Sequence, residues 1–160
     1  MKRVLLLAVC VLICLSGCGT QKKDSENEPV LYSAVEDKEI KSEIESTVNA
    51  YLNALQNKSY SQLMSCTEGS FGIAGDETAF EGLTMGLEET KLEFIDLDDI
   101  HKDNGSYFVK VRYSLVFTGS YIDEQGIQRE AGTADHFELF TLTERNEGLV
   151  ITDISITGEG

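Results

Sequence analysis

Basic residues are scarce in this chain, 13 against 28 acidic ones in 160 residues, and tryptophan is absent. The resulting net charge of −15 argues against nucleic acid as a partner, because phosphate binding rests on Lys and Arg displacing condensed counterions. Long apolar runs are also missing. The run Val4 to Leu15 stops at Ser16 and Gly17, short of the roughly 17 to 25 residues that a membrane-crossing helix needs, so a polytopic membrane protein is excluded. Four cysteines and two histidines complete the scarce types. His101 and His136 show no ligand spacing, so no zinc site is proposed. Asp99, His101, Asp103 and Gly105 imitate a calcium loop, but the glycine comes one position late and Lys110 stands where a bidentate Glu is required. No phosphate loop, dinucleotide fingerprint or nucleophile elbow occurs, and no cofactor is expected. What is present, a 41% hydrophobic fraction, supports the core of one compact domain and rules out wholesale disorder.

Lys2 and Arg3 ahead of the apolar run have the form of an export signal. The segment Leu15-Ser16-Gly17-Cys18 resembles the lipobox of bacterial lipoproteins over all four positions. That resemblance implies a signal peptide over 1–17, cleavage before Cys18, and a diacylglyceryl thioether on Cys18 with acyl chains such as palmitate. Two or three acyl chains anchor stably, at about 0.8 kcal/mol per buried CH₂. The expectation is therefore a lipid-anchored protein on the extracytoplasmic side of the bacterial cell membrane. Loss of residues 1–17 removes Lys2 and Arg3 and no acid, leaving 11 basic against 28 acidic residues. Such a surface is repelled by anionic head groups, so the membrane is a partner through the lipid alone. Cys10 and Cys14 leave with the signal and Cys18 is acylated, so Cys66 remains alone and no intramolecular disulfide forms. Cys66 reads as a small buried apolar residue. Residues 18–32 are polar, charged and aperiodic, a flexible tether reaching on the order of 20 Å, and the domain occupies 33–160.

Within that domain Ile40, Ile44, Val48, Tyr51, Leu52 and Leu55 recur at helical spacing, with Ser33 and Glu36 as a capping box and Asn57 as the stop. A short helix follows Ser59 and ends near Cys66. Gly69 to Gly75 reads as loop, and Asp76 caps a third helix carrying Phe80, Leu83 and Leu87. Gly82 and Gly86 weaken that helix unless a neighbour packs closely on them. After Thr90 the pattern turns to period two, and four antiparallel strands are predicted, over 91–100, 106–122, 127–144 and 149–157. Helices first and a meander afterwards give an α+β fold. In element order, in the helix pair YLNALQNKSYSQLM and in the closing GLVITDISI strand, residues 36–157 resemble the nuclear transport factor 2-like superfamily. The resemblance implies helices packed into the concave face of a curved antiparallel sheet, a cone. The Gly69 to Gly75 segment departs from it, since many members carry short strands there.

Registers decide which side chains share a face. A three-residue loop with Gly126 as the left-handed residue pairs Asp123 with Ile127, which sets Val111 against Leu139, Tyr113 against Phe137 and Arg112 against Glu138. The inner face then comprises Tyr107, Val109, Val111, Tyr113, Leu115, Phe117, Phe137, Leu139, Val150, Ile154 and Ile156. The outer face carries Phe108, Phe140, Leu142 and Ile151 together, an exposed patch suited to an envelope protein or a homodimer. The first strand has two open registers. With a two-residue turn at Asn104-Gly105 and no irregularity, Asp96 lies opposite Tyr113 inside the cone. A bulge near Phe94 and Ile95 instead turns Ile95 and Leu97 inward and brings Asp96 and Asp98 out against Arg112 and Lys110, which buries more apolar surface and avoids unpartnered acids.

Three functions fit these expectations. The first is a non-catalytic module at the cell envelope that binds a ligand in its cavity or a protein on its sheet. The second, implied by the superfamily resemblance alone, is an isomerase- or dehydratase-like enzyme with Asp96 as general base and Tyr113 as hydrogen-bond donor to a developing oxyanion. The third is a structural adaptor working through the patch of Phe108, Phe140, Leu142 and Ile151.

Overall fold

The computed structural model describes residues 33–35 and 37–157, so the expected signal peptide, Cys18 and the expected tether lie outside the described residues. The elements run β1 (Ser33–Ala34), α1 (Lys38–Gln56), α2 (Tyr60–Cys66), a 3-10 turn (Gly72–Gly75), α3 (Glu77–Thr84), β2 (Leu87–Ile95), β3 (His101–Asp103), β4 (Ser106–Phe117), β5 (Tyr121–Ile122), β6 (Gln128–Arg129), β7 (Gly132–Arg145) and β8 (Gly148–Ile156). The main sheet is antiparallel in the order β1-β3-β4-β7-β8, with β2 also paired to β4, and β5-β6 form a separate two-stranded ribbon. No helix among the described residues is long and apolar enough to cross a membrane.

Local signals place the helices. α1 buries Ile44, Val48, Tyr51, Leu52 and Leu55 on one stripe, as the spacing requires. Its cap is Asp37, which accepts from the Glu39 amide at 2.8 Å, and not the predicted Ser33 and Glu36 box: Ser33 is drawn into β1 by pairing with Lys102. Asn57 ends the helix, Ser59 caps α2 and Asp76 caps α3 through the Thr78 and Ala79 amides. α3 stops at Thr84, and Leu87 opens β2 as a buried strand residue. Both glycines sit against neighbours, Gly82 within α3 and Gly86 in the turn after it: a methyl on Gly82 would lie 3.2 Å from Ile122, and one on Gly86 would overlap the Gly119 carbonyl oxygen. The helices cover one sheet face. Tyr51 of α1 meets Phe140 of β7 edge-on at 5.5 Å, and Glu43 of α1 accepts the Leu149 amide of β8 at 2.9 Å.

The strand registers depart from expectation, and the cause is a single residue. The ribbon turns as predicted, with Gly126 at φ 76° and the Asp123 amide bonded to the Ile127 carbonyl. Three residues, Thr118 to Ser120, then lead from β4 to the ribbon, while only Glu130 and Ala131 return to β7. Val111 consequently faces Glu138, Arg112 faces Phe137 and Tyr113 faces His136. The inward set of β4 is as expected, from Tyr107 to Phe117 at every second position. That of β7 is inverted: Glu138, Phe140 and Leu142 are buried, and Phe137 and Leu139 lie half-buried on the outer side. In β8 the pairing Leu142↔Ile151 continues as Thr141↔Asp153, so an extra residue bulges and Ile154 pairs Phe140. Ile151 is buried and Ile156 is 81% exposed. The patch expected on the outer face is therefore corrected. Phe140, Leu142 and Ile151 are core residues, and of the four only Phe108 reaches the outer side, half-buried.

β2 carries two irregularities, at Glu88 and at Glu93. The second, one residue ahead of the predicted bulge, pairs Ile95 with Val111, and Ile95 and Leu97 pack against the core. Beyond it a turn separates β2 from β3, which pairs Asp103 with Ser106 around Asn104 and Gly105 at φ 48° and 81°.

Candidate functional site

At one end of the cone the inverted parity of β7 creates a polar cluster inside an apolar wall. Glu138 is 5% exposed, a costly position for a carboxyl group without partners. It has two. Tyr113, two rungs along on β4, donates its hydroxyl to Oε2 at 2.7 Å, and Nδ1 of His136 lies 3.1 Å from Oε1. The His136 ring stacks on Tyr113, centroids 4.7 Å apart and planes within 6°. Tyr51 closes the cluster from α1, beside Tyr113 and edge-on to Phe140. Burial, first of all, pushes both phenols well above their ordinary range; the negative charge of Glu138 adds to this in Tyr51, and in Tyr113 the neighbouring Tyr51 and then the charge and hydrogen bond of Glu138 add to it. Both tyrosines therefore act as neutral hydroxyls.

The ribbon folds toward this end and brings Glu124 to its rim. Desolvation of that carboxyl raises its pKa, and the charge of Glu138 raises it further. Its neighbour Asp123 is otherwise employed, accepting from the Ile127 and Gln125 amides and from Arg129 at 2.7 Å. Those bonds lock the tip of the ribbon in place. Between the tip and the sheet lies an open pocket of about 220 Å³, lined by Asp123, Glu124, Gln125, Asp135, His136, Phe137, Glu138 and Ile156. Deeper, beside Tyr51, Phe71 and Ile154, the cone holds a gap of only about 20 Å³, room for one water.

The residues singled out in the sequence are not brought together. Tyr113 is inside, but its hydroxyl is committed to Glu138. Asp96 sits beyond the Glu93 bulge, its amide bonded to the Lys110 carbonyl and its carboxylate accepting the Asp99 amide within the turn. Asp98 is fully exposed and bridges Lys41 at 3.3 Å. The basic partners expected for these acids are used elsewhere: Lys110 pairs with Asp99 at 2.9 Å, and Arg112 lies over the Phe137 ring at 5.0 Å. Cys18 lies outside the described residues. Glu138, His136 and Glu124 were missed because each depends on the one-residue offset of the ribbon. Among the described residues no group of three or more His, Cys, Asp or Glu side chains is arranged to hold a metal ion.

No model of a known protein family matches the chain, and no curated protein matches it in sequence. Solved structures do match. An uncharacterised protein with a cystatin-like fold from Caulobacter vibrioides superposes with a TM-score of 0.54 at 17% identity, over 75% of this chain and 91% of that one. A nuclear transport factor 2-like superfamily protein from Salmonella enterica gives 0.53 at 13% identity, over 76% and 92%. A proposed dehydratase of the same fold family from Streptomyces avermitilis gives 0.53 at 10% identity, over 74% and 96%. At these identities the likeness speaks for the fold alone. The fold is nuclear transport factor 2-like, an α+β cone of helices on a curved antiparallel sheet.

Proposed function

We propose that this protein is a lipid-anchored binding module on the outer side of the bacterial cell membrane, and that it takes a small ligand in the pocket between the ribbon tip and the sheet. One observation carries the choice of site. The middle of the cone is filled by Tyr51, Tyr113 and Phe140, with space for about one water beside them, whereas the rim pocket offers about 220 Å³ and both polar and aromatic walls. The anchor rests on the lipobox at Leu15 to Cys18.

The two parts are tested separately. Cells fed an alkyne analogue of palmitate should label the wild type and not Cys18→Ser, and the variant should leave the membrane fraction; equal labelling would refute the anchor. For the pocket, fragments of aromatic and heterocyclic type are screened by amide chemical-shift changes. Shifts should gather on Glu124, Phe137, Glu138 and Ile156, and a library whose hits all fall elsewhere refutes the site.

A further inference from the structure

The rim pocket is a concavity with apolar walls before it is an acidic one. Phe137 and Ile156 form those walls, Ile156 with 81% of its surface bare. Its volume of about 220 Å³ lies under the roughly 300 Å³ at which sites for drug-sized molecules begin, so the occupant is small. The polar groups around it share one character. Asp123, Glu124, Asp135 and Glu138 line it and neither Lys nor Arg does, and a carboxylate only accepts hydrogen bonds. Nδ1 of His136 lies 3.1 Å from Glu138, so in the neutral ring the hydrogen sits on Nδ1 and Nε2 is one more acceptor. Beyond that engaged N–H, only Gln125 brings a side-chain donor to the lining.

Two of these acids already have partners. Asp123 accepts from the Gln125 and Ile127 amides and from Arg129, and Glu138 accepts from Tyr113 and faces His136. Glu124 on the ribbon and Asp135 on β7 pair with no cation among the described residues. We propose that the rim pocket selects a small organic cation, a protonated amine or amidine on a flat apolar body, whose N–H groups donate to Glu124 and Asp135 while the body lies against Phe137 and Ile156. The proposal rests on the rim pocket being the ligand site, and it adds the ligand's charge. Desolvation, and then the charge of Glu138, hold the Glu124 carboxyl above its ordinary pKa, and a cation between ribbon and sheet relieves that repulsion. Phe137 already receives one cation, the Arg112 guanidinium at 5.0 Å, as the electron-rich face of an aromatic ring allows. The net charge of −15 draws cations to the molecule and repels anions.

Probes that share one ring test this on the full chain: benzylammonium, benzyltrimethylammonium, benzyl alcohol and benzoate. Each is titrated while the amides of Glu124, Phe137, Glu138 and Ile156 are followed by NMR. Benzylammonium should bind about tenfold more tightly than benzyl alcohol, or better. Benzyltrimethylammonium, which has the charge but no N–H, should fall between them, and benzoate should leave the amides unmoved. Glu124→Gln and Asp135→Asn should each shrink the preference for benzylammonium severalfold. Glu45→Gln removes the same charge from the exposed face of α1 and should keep it. If benzylammonium and benzyl alcohol bind equally, or if benzoate binds best, the choice of a cation is overturned and the binding site survives. If Glu45→Gln weakens the preference as much as Glu124→Gln does, the field of the whole molecule and not the pocket selects, and the proposal falls. If benzyltrimethylammonium matches benzylammonium, charge alone selects and the hydrogen bonds to Glu124 and Asp135 are refuted. If no probe moves those amides, the binding site falls and the selectivity with it.

Discussion

Tyr113 and Glu138 divide one task, since each satisfies a polar group that the other would leave stranded inside the cone. Tyr113→Phe removes the donor on Oε2 and leaves that lone pair buried, so the variant should lose about 1 to 3 kcal/mol in urea unfolding. Tyr113 was legible as an inward residue because large apolar and aromatic side chains fill every second position from Tyr107 to Phe117 along β4. Glu138 was not, because an acid on a strand is assigned to solvent unless the register says otherwise. Cys66 was read as a buried apolar residue, and it is one: 6% exposed, with burial pushing its thiol from 9.0 up to about 11. Between these values the folded chain holds a proton that the unfolded chain has released. Its contribution to stability is therefore complete below pH 9.0 and is lost as pH rises toward about 11. Wild type should lose more stability than Cys66→Ala across that window, and peptide mapping after brief iodoacetamide treatment at neutral pH should find Cys66 unmodified in the folded protein and alkylated in urea.

Among the elements, helices were more legible than strand pairings, for a reason of range. Ser59 and Asp76 cap helices that begin one residue later, a signal contained within four positions. A strand register accumulates every irregularity along its length, and Glu88, Glu93 and the bulge before Asp153 each add one. The bulge in β2 was anticipated from the penalty on buried acids, whereas the one in β8 has no such signature. Close approach of α3 and the turn after it to the ribbon and its 118–120 connection makes a graded prediction. Gly86→Ala places a methyl on the Gly119 carbonyl, backbone against backbone, and should cost about 1 to 3 kcal/mol. Gly82→Ala meets only the Ile122 side chain at 3.2 Å, which can yield, so its melting temperature should fall by clearly less than that of Gly86→Ala.

At the scale of the molecule, 28 acids against 13 bases make self-repulsion a standing cost. Added sodium chloride should raise the melting temperature, steeply below about 0.1 M, where the Debye length is near 10 Å, and weakly above it. The same charge should keep Cys18→Ser off anionic vesicles at every salt concentration in a flotation assay, since lipid is the only attraction proposed. Composition made this whole-molecule property fully legible, whereas the α+β class was read from helical periodicity giving way to period two after Thr90. The offset in the connections between sheet and ribbon, three residues out and two back, has an evolutionary reading. Loop length, and not loop chemistry, decides which residue overhangs the pocket. A gain or loss of one residue at 118–120 or 130–131 would either re-aim the ribbon tip or exchange the two faces of β7, so insertions and deletions, more than substitutions, are the changes that would remake this pocket.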